Sequence, residues 1–191
     1  LTKIKDYQIE VMTTGDVHLR YAWVTDNKWI YTIGMNQDDS GTAIRQLKFR
    51  LWARDIYEQL SDTPTVLVAS NPQPTMSGLI PTVTGLYNGL KVDWSSIVPS
   101  DNDLAKFIVY IDENNPPTTE VATVGTNTTN WVEMDLIPDT TYRVQIEPWD
   151  DFGVGVKSSL QTAEPIYIPQ ETIQGELTDR LVMSDSLDTT S

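Results

Sequence analysis

The chain has 191 residues, 39% of them hydrophobic and 21% charged, with 13 basic against 27 acidic side chains and a formal net charge of -14. This length and balance belong to globular proteins with one or two domains and real cores, and the excess negative charge repels phosphate backbones and anionic membranes, so no nucleic-acid partner is expected. The absence of cysteine excludes thiolate zinc sites, cysteine nucleophiles and disulfides together.

No apolar run is long enough to cross a bilayer and no charged-then-apolar leader opens the chain, which therefore reads as soluble, without membrane insertion. Starting at Leu1 rather than methionine, it reads as a fragment or a processed product. Lacking cysteine suits cytosolic folding and later export equally.

The first candidate strands are 7–12, 18–24, 28–33, 46–53 and 64–69. Several alternate: Leu47, Phe49 and Leu51 share one face of their strand while Lys48 and Arg50 share the other. Trp52 falls on the face with Lys48 and Arg50, which should point outward, and is the candidate exposed contact, between modules or subunits rather than to a ligand. A linker rich in proline and small polar residues follows at 70–75.

Beyond it, candidate strands recur at 79–84, 90–94, 107–112, 120–124, 130–135, 141–148 and 158–162, which is the spacing of a β-sandwich. Laying 47–51 over 142–146 brings Asp55 onto Asp150 and Tyr57 onto Phe152 without a gap, an internal repeat that indicates two copies of one module. The expected fold is all-β: residues 1–72 a sandwich lacking its first strands, residues 73–165 a complete one, and residues 166–191 a linker and short helix. In that helix Ile173, Leu177 and Leu181, four apart, line one face, a candidate oligomer interface.

The stretch Leu136-x-Pro138-x-Thr140-x-Tyr142 announces the strand at 141–148. A tyrosine at the start of the penultimate strand fixes the corner between two sheets, its ring in the core and its hydroxyl bonded to upstream backbone. Pro138 restricts the approach and Leu136 plugs the core from the strand before. With Trp94, Tyr110 and the closing Asp151-Phe152-Gly153-x-Gly155-x-x-Ser158, residues of roughly 75 to 164 resemble a fibronectin type III domain. The resemblance implies that Trp94, Tyr110 and Tyr142 are structural core residues. Residues 1–70 match more loosely: either their upstream part is cut away or the first module is a divergent sandwich.

Catalytic chemistry lacks its constellation. His18 is the sole histidine, flanked by Val17 and Leu19 in a strand, and has no neighbouring carboxylate motif. Gly153-x-Gly155 is a turn, since no helix or lysine follows to make a phosphate loop. The acidic pairs at 38–39, 101–103, 112–113 and 150–151 fall in loops, and no twelve-residue calcium loop can be written from them. No cofactor or metal is expected. Trp23, Trp29, Trp52, Trp131 and Trp149 read as core and strand residues, with stacking on sugars as the rival reading.

Tandem cysteine-free sandwiches, acidic charge and the run Ile173-Gln174-Gly175-Glu176-Leu177-Thr178-Asp179-Arg180-Leu181 together resemble the later part of the central tail-tip attachment (host-specificity) proteins of long-tailed bacteriophages. That resemblance implies a non-enzymatic structural module, homotrimeric and associated with other phage tail proteins. It would lie in the virion tail tip after assembly in the bacterial cytoplasm, linking the hub to a distal part that contacts the bacterial surface receptor. The alternative is a fibronectin-type accessory or carbohydrate-binding module of a bacterial secreted enzyme or adhesin.

Overall fold

The structure is a computed structural model that describes residues 3–97 and 103–167. The predicted helix, with Ile173, Leu177 and Leu181, lies outside the described residues. The strands are β1 (Ile4–Thr13), β2 (His18–Val24), β3 (Gln46–Asp55), β4 (Thr65–Ser70), β5 (Thr82–Leu86), β6 (Gly89–Asp93), β7 (Leu104–Asp112), β8 (Glu120–Gly125), β9 (Asn130–Met134), β10 (Tyr142–Asp150), β11 (Gly153–Val154) and β12 (Gln161–Ala163). Among the described residues there is one helix, α1 (Ile33–Ser40). Two units are distinguished, one of Leu1–Thr75, Ser100–Ala105 and Pro148–Val156, the other of Met76–Pro99, Lys106–Glu147 and Lys157–Ser191.

In the first unit, period-two alternation yields an antiparallel sheet in the order β2-β1-β3-β4. The register sets Ile9 opposite Ala22 and Leu51, Val11 opposite Phe49, and Phe49 opposite Leu67, which makes one face apolar. The other face carries Gln8 opposite Trp23 and Trp52, and Glu10 opposite Tyr21 and Arg50. Helix α1 begins where the Thr32 hydroxyl accepts the Met35 N–H at 3.2 Å and ends at Gly41, whose φ of 78° favours glycine. Its place depends on distant partners: the Arg20 guanidinium donates to both Asp39 oxygens at 2.7 Å, and the buried Asn36 side chain bridges Ile44 N–H and C=O at 2.9 Å each.

The stretch expected as a strand at 28–33 is not one. Residues 28–32 belong to no strand, and from Thr32, whose backbone is extended, the chain turns into α1. In the second unit β9 occupies the corresponding place in chain order, and β6 holds it through a ladder from Gly89↔Met134 to Asp93↔Asn130. Among the described residues of the first unit no strand plays the part of β6, so the alternating residues have no ladder to join.

The second module has two antiparallel sheets, β5-β6-β9 and β11-β10-β7-β8, with β12 also paired to β10. With β11 and β12 paired to opposite ends of β10 and counted as one interrupted strand, this three-plus-four arrangement is that of a fibronectin type III sandwich. The four-stranded sheet repeats the order of the first unit, β8-β7-β10-β12 against β2-β1-β3-β4. The protein is thus all-β, with two successive modules of one plan. Between the sheets, Leu90, Val92, Val109, Val144 and Ile146 are fully buried, with Trp94 edge-on to Phe107 at 6.0 Å. Each such side chain contributes about 1.5–3 kcal/mol relative to exposure.

The corner is held as its chemistry requires: Tyr142 is 7% exposed and its hydroxyl accepts the Ile137 N–H at 3.2 Å. Leu136 and Pro138 are half-buried rather than core, because the chain at this corner runs along the rim of the sandwich, where the Leu136 N–H donates to Asn88 C=O. Tyr110 is also half-buried. Its hydroxyl donates to Glu147 at 2.8 Å and the Lys157 ammonium lies 3.4 Å from its ring centroid; burial and then Glu147 push its pKa up to about 12. The last strand, expected at 158–162, is split into β11 and β12. Ser158 bridges the gap with its N–H on Ile146 C=O and its hydroxyl accepting the Ile146 N–H.

Tyr142→Phe keeps the ring and removes the acceptor for the Ile137 N–H. The expected cost is about 1 kcal/mol, seen as a lower urea midpoint at unchanged m-value.

Candidate functional site

The two faces of the first sheet are the candidate surfaces. On the polar face the bulge between Val11 and Met12 sets His18 opposite Met12. His18 Nδ1 lies 3.1 Å from Glu10 Oε1, which also accepts from the Tyr21 hydroxyl at 3.2 Å and so raises the Tyr21 pKa. Arg50 comes within 3.8 Å of Glu10 and, with Lys48, holds Asp16 at 2.8 and 2.7 Å. The Arg54 guanidinium grips both Asp6 oxygens at 2.7 and 2.5 Å and stacks over the Trp23 ring at 4.1 Å.

Trp52, the sequence candidate for exposed contact, sits on this face but is half-buried, in the row Trp23, Gln8, Trp52 created by the register. On this face Trp23, at 51%, and Tyr21, at 54%, are exposed aromatics. With Arg54 on one face of Trp23, that side of the ring is already covered. The alternation placed Trp52 on the outward face; what it does not encode is how neighbouring side chains lean over that face.

The apolar face is only partly covered. The Tyr31 ring stands edge-on to Phe49 at 5.9 Å and its hydroxyl donates to Asp39 at 2.8 Å, so that burial first, then Asp39, raises its pKa. Residues 27–31 cross the sheet and leave a groove of about 760 Å³ on the β3–β4 side, lined by Ile9, Trp29, Ile30, Phe49, Leu51 and Leu67. Leu67 is 62% exposed, and all six residues of β4 are exposed, including Val66 and Val68.

The repeat positions Asp55 and Asp150 act alike: Asp55 accepts the Tyr57 N–H and Asp150 the Phe152 N–H, each at 2.8 Å. Asp150, whose side chain is fully buried, also takes both Arg45 nitrogens at 2.6 and 2.8 Å. Gly155 is required here, since a Cβ would collide with the carbonyl oxygens of Pro74 and Pro148.

Among the described residues no group of three or more His, Asp or Glu side chains is placed to hold a metal. The acidic clusters at 38–39 and 112–113 are not wholly in loops, since Asp39 lies in α1 and Asp112 ends β7, and both carboxylates are already engaged: Asp39 with Arg20, and Asp112 with the N–H groups of Asn114, Thr118 and Thr119. Burial would raise the Asp112 pKa, but those three backbone donors outweigh it and hold the pKa far below 3.8.

No protein-family model and no curated protein matches the chain. Among solved structures it is similar to the FN1–FN3 domains of chicken CNTN1, at 14% identity and a TM-score of 0.46 over 85% of this chain, spanning 56% of that structure. The sixth fibronectin type III domain of human fibronectin type III domain containing protein 3 matches at 19% identity and a TM-score of 0.44, covering 53% of this chain and 95% of the other. The Clostridium perfringens spore cortex lytic enzyme SleM matches at 15% identity and a TM-score of 0.40, over 56% and 34%.

Two outcomes are expected. Arg45→Met strands the buried Asp150 carboxylate and should cost about 3 kcal/mol in denaturant unfolding, far more than a surface ion pair. Asp6, Asp16 and Asp39 are held below the ordinary 3.8, chiefly by hydrogen bonds from Arg54, Lys48 and Arg20 respectively. Their folded-state pKa values being depressed, their stabilisation is present above about pH 4 and lost as pH falls through the lowered values. Unfolding midpoints followed from pH 7 to 2 should drop in that acid window, and less steeply in Arg54→Gln.

Proposed function

We propose that the chain is a non-catalytic structural module of a phage tail tip or central fibre protein, linking the tail hub to the distal host-binding part. The observation that carries this reading is the repetition of one sandwich plan in two successive modules, with side-chain chemistry spent on packing and ion pairs. Among the described polar side chains, Asp55 and Asp150 close turns, Thr32 caps α1, and Arg54 pairs with Asp6 across strands. A repeated sandwich suits spacing and connection.

In this reading the protein is a homotrimer within the virion, assembled in the bacterial cytoplasm beside other tail proteins. Ile173, Leu177 and Leu181 face a threefold axis, since a short helix with one apolar stripe gains most from burying it against copies of itself. Receptor contact lies elsewhere in the full-length protein.

Light scattering of a polypeptide continuing past Ser191 should give three times the monomer mass, falling to one when Leu177 and Leu181 are both changed to Asp. Monomer mass before substitution would remove the trimeric tail-tip reading.

A further inference from the structure

We propose that the first sheet carries, beside Trp29, a binding site for a neutral oligosaccharide of pyranose units. The site adds a saccharide contact to a module whose proposed role is connection, and it does not rest on that role. Its floor comes from strand alternation. Tyr7 and Ile9 lie two apart on β1, with Val24 opposite Tyr7 at the end of β2 and Leu51 opposite Ile9 on β3. Beyond Val24 the chain bends at residues 25–27, and Asp26, Asn27, Lys28 and Trp29 form the rim of a cavity of about 300 Å³ over that floor.

The polar groups of this cavity have no work within the chain. The Tyr7 hydroxyl, the Asp26 carboxylate, the Asn27 amide, the Lys28 ammonium and the Trp29 indole N–H make no hydrogen bond or ion pair with any described residue. By contrast Asp6, Asp16 and Asp39 of the same unit are held by Arg54, Lys48 and Arg20. Unused donors and acceptors of both signs thus surround an apolar and aromatic floor, and this pattern selects the ligand. An anion such as phosphate would meet Asp26 and find no arginine fork. A hard cation takes six or more oxygens, and one carboxylate is offered. A purely apolar ligand would leave the rim unused. A pyranose ring matches both parts, with a C–H face for the aromatic rings and a belt of hydroxyls, each donor and acceptor, for the rim.

The neighbouring groove of about 760 Å³ gives the ligand its length. It shares Ile9, Asn27, Trp29 and Leu51 with the smaller cavity and continues past Tyr31 and Phe49 to β4. Trp29 lines both and is only partly buried, so a chain of sugars passes from one to the other across its ring. Trp29 is therefore the residue on which affinity depends most, with Asp26 and Asn27 fixing the orientation of the hydroxyls.

Isothermal titration of the 191-residue chain with cellohexaose, maltohexaose and N-acetylchitohexaose tests this. At least one should bind with a Kd of about 1 mM or below. Trp29→Ala should weaken that binding by about tenfold or more. The double change Asp26→Ala with Asn27→Ala should weaken it too. Both residues are exposed, so an unchanged urea midpoint certifies that the fold is intact. Tyr21→Ala, on the opposite face, should leave binding as it was. No binding of any of the three sugars at about 10 mM would overturn the proposal. So would binding that survives Trp29→Ala, or that survives the double change. A mass in light scattering that grows with protein concentration and falls to the monomer in Trp29→Ala would also overturn it, by assigning the cavity to a second copy.

Discussion

A sheet with one apolar face must have that face covered, and the architecture of this protein follows from how each module meets that demand. The second module covers β10 and β7 with the three-stranded sheet β5-β6-β9, and Val109, Val144 and Ile146 vanish from solvent. The first builds the same four-stranded sheet, but the stretch before α1 and α1 itself come beside Leu47 and Phe49, and Leu51 and Leu67 stay exposed. At about 25 cal/mol per Å² of apolar area, uncovered side chains of this size are stabilisation not realised.

Arginine ties what the hydrophobic effect leaves loose. Arg20 with Asp39, Arg54 with Asp6 and Arg45 with Asp150 are each two-pronged pairs, in which a planar fork meets a carboxylate edge on. They differ in setting. Asp150 is fully enclosed and depends on its partner to offset desolvation, whereas the Asp6 pair extends into a stacked arrangement on Trp23. In a chain so acidic, these carboxylates are fasteners rather than free charge.

Much of this was legible from local pattern. Alternation located β3 and β10, and the gapless repeat picked out Asp55 and Asp150, two carboxylates that close the same turn in both modules. The corner residues around Tyr142 were readable because a short motif encodes a short-range bond, from Ile137 to Tyr142. What escaped depends on distant partners. Residues 28–33 alternate like a strand, but a strand exists only with a ladder, and nothing local reports whether the ladder is present. Helix α1 lacks an apolar period and is positioned by Arg20 and Ile44. Trp52 was assigned the correct face yet the wrong exposure, because its row with Gln8 and Trp23 is set by register. Arg45 and Asp150, 105 residues apart, share no signal a linear reading detects.

The joining of Tyr87 to Ile166 has a mechanical consequence. These residues form a parallel bridge, with the Ile166 N–H on Leu86 C=O at 2.8 Å and the Asn88 N–H on Ile166 C=O at 3.3 Å. Because the paired segments run the same way, tension drawn from the start of the second module toward its end pulls them along their length in opposite directions. Both bonds then bear load together in shear, whereas an antiparallel hairpin pulled from its two open ends would peel one bond at a time. Resistance to stretching is therefore written into the direction of one short pairing, independently of how stable the module is at rest.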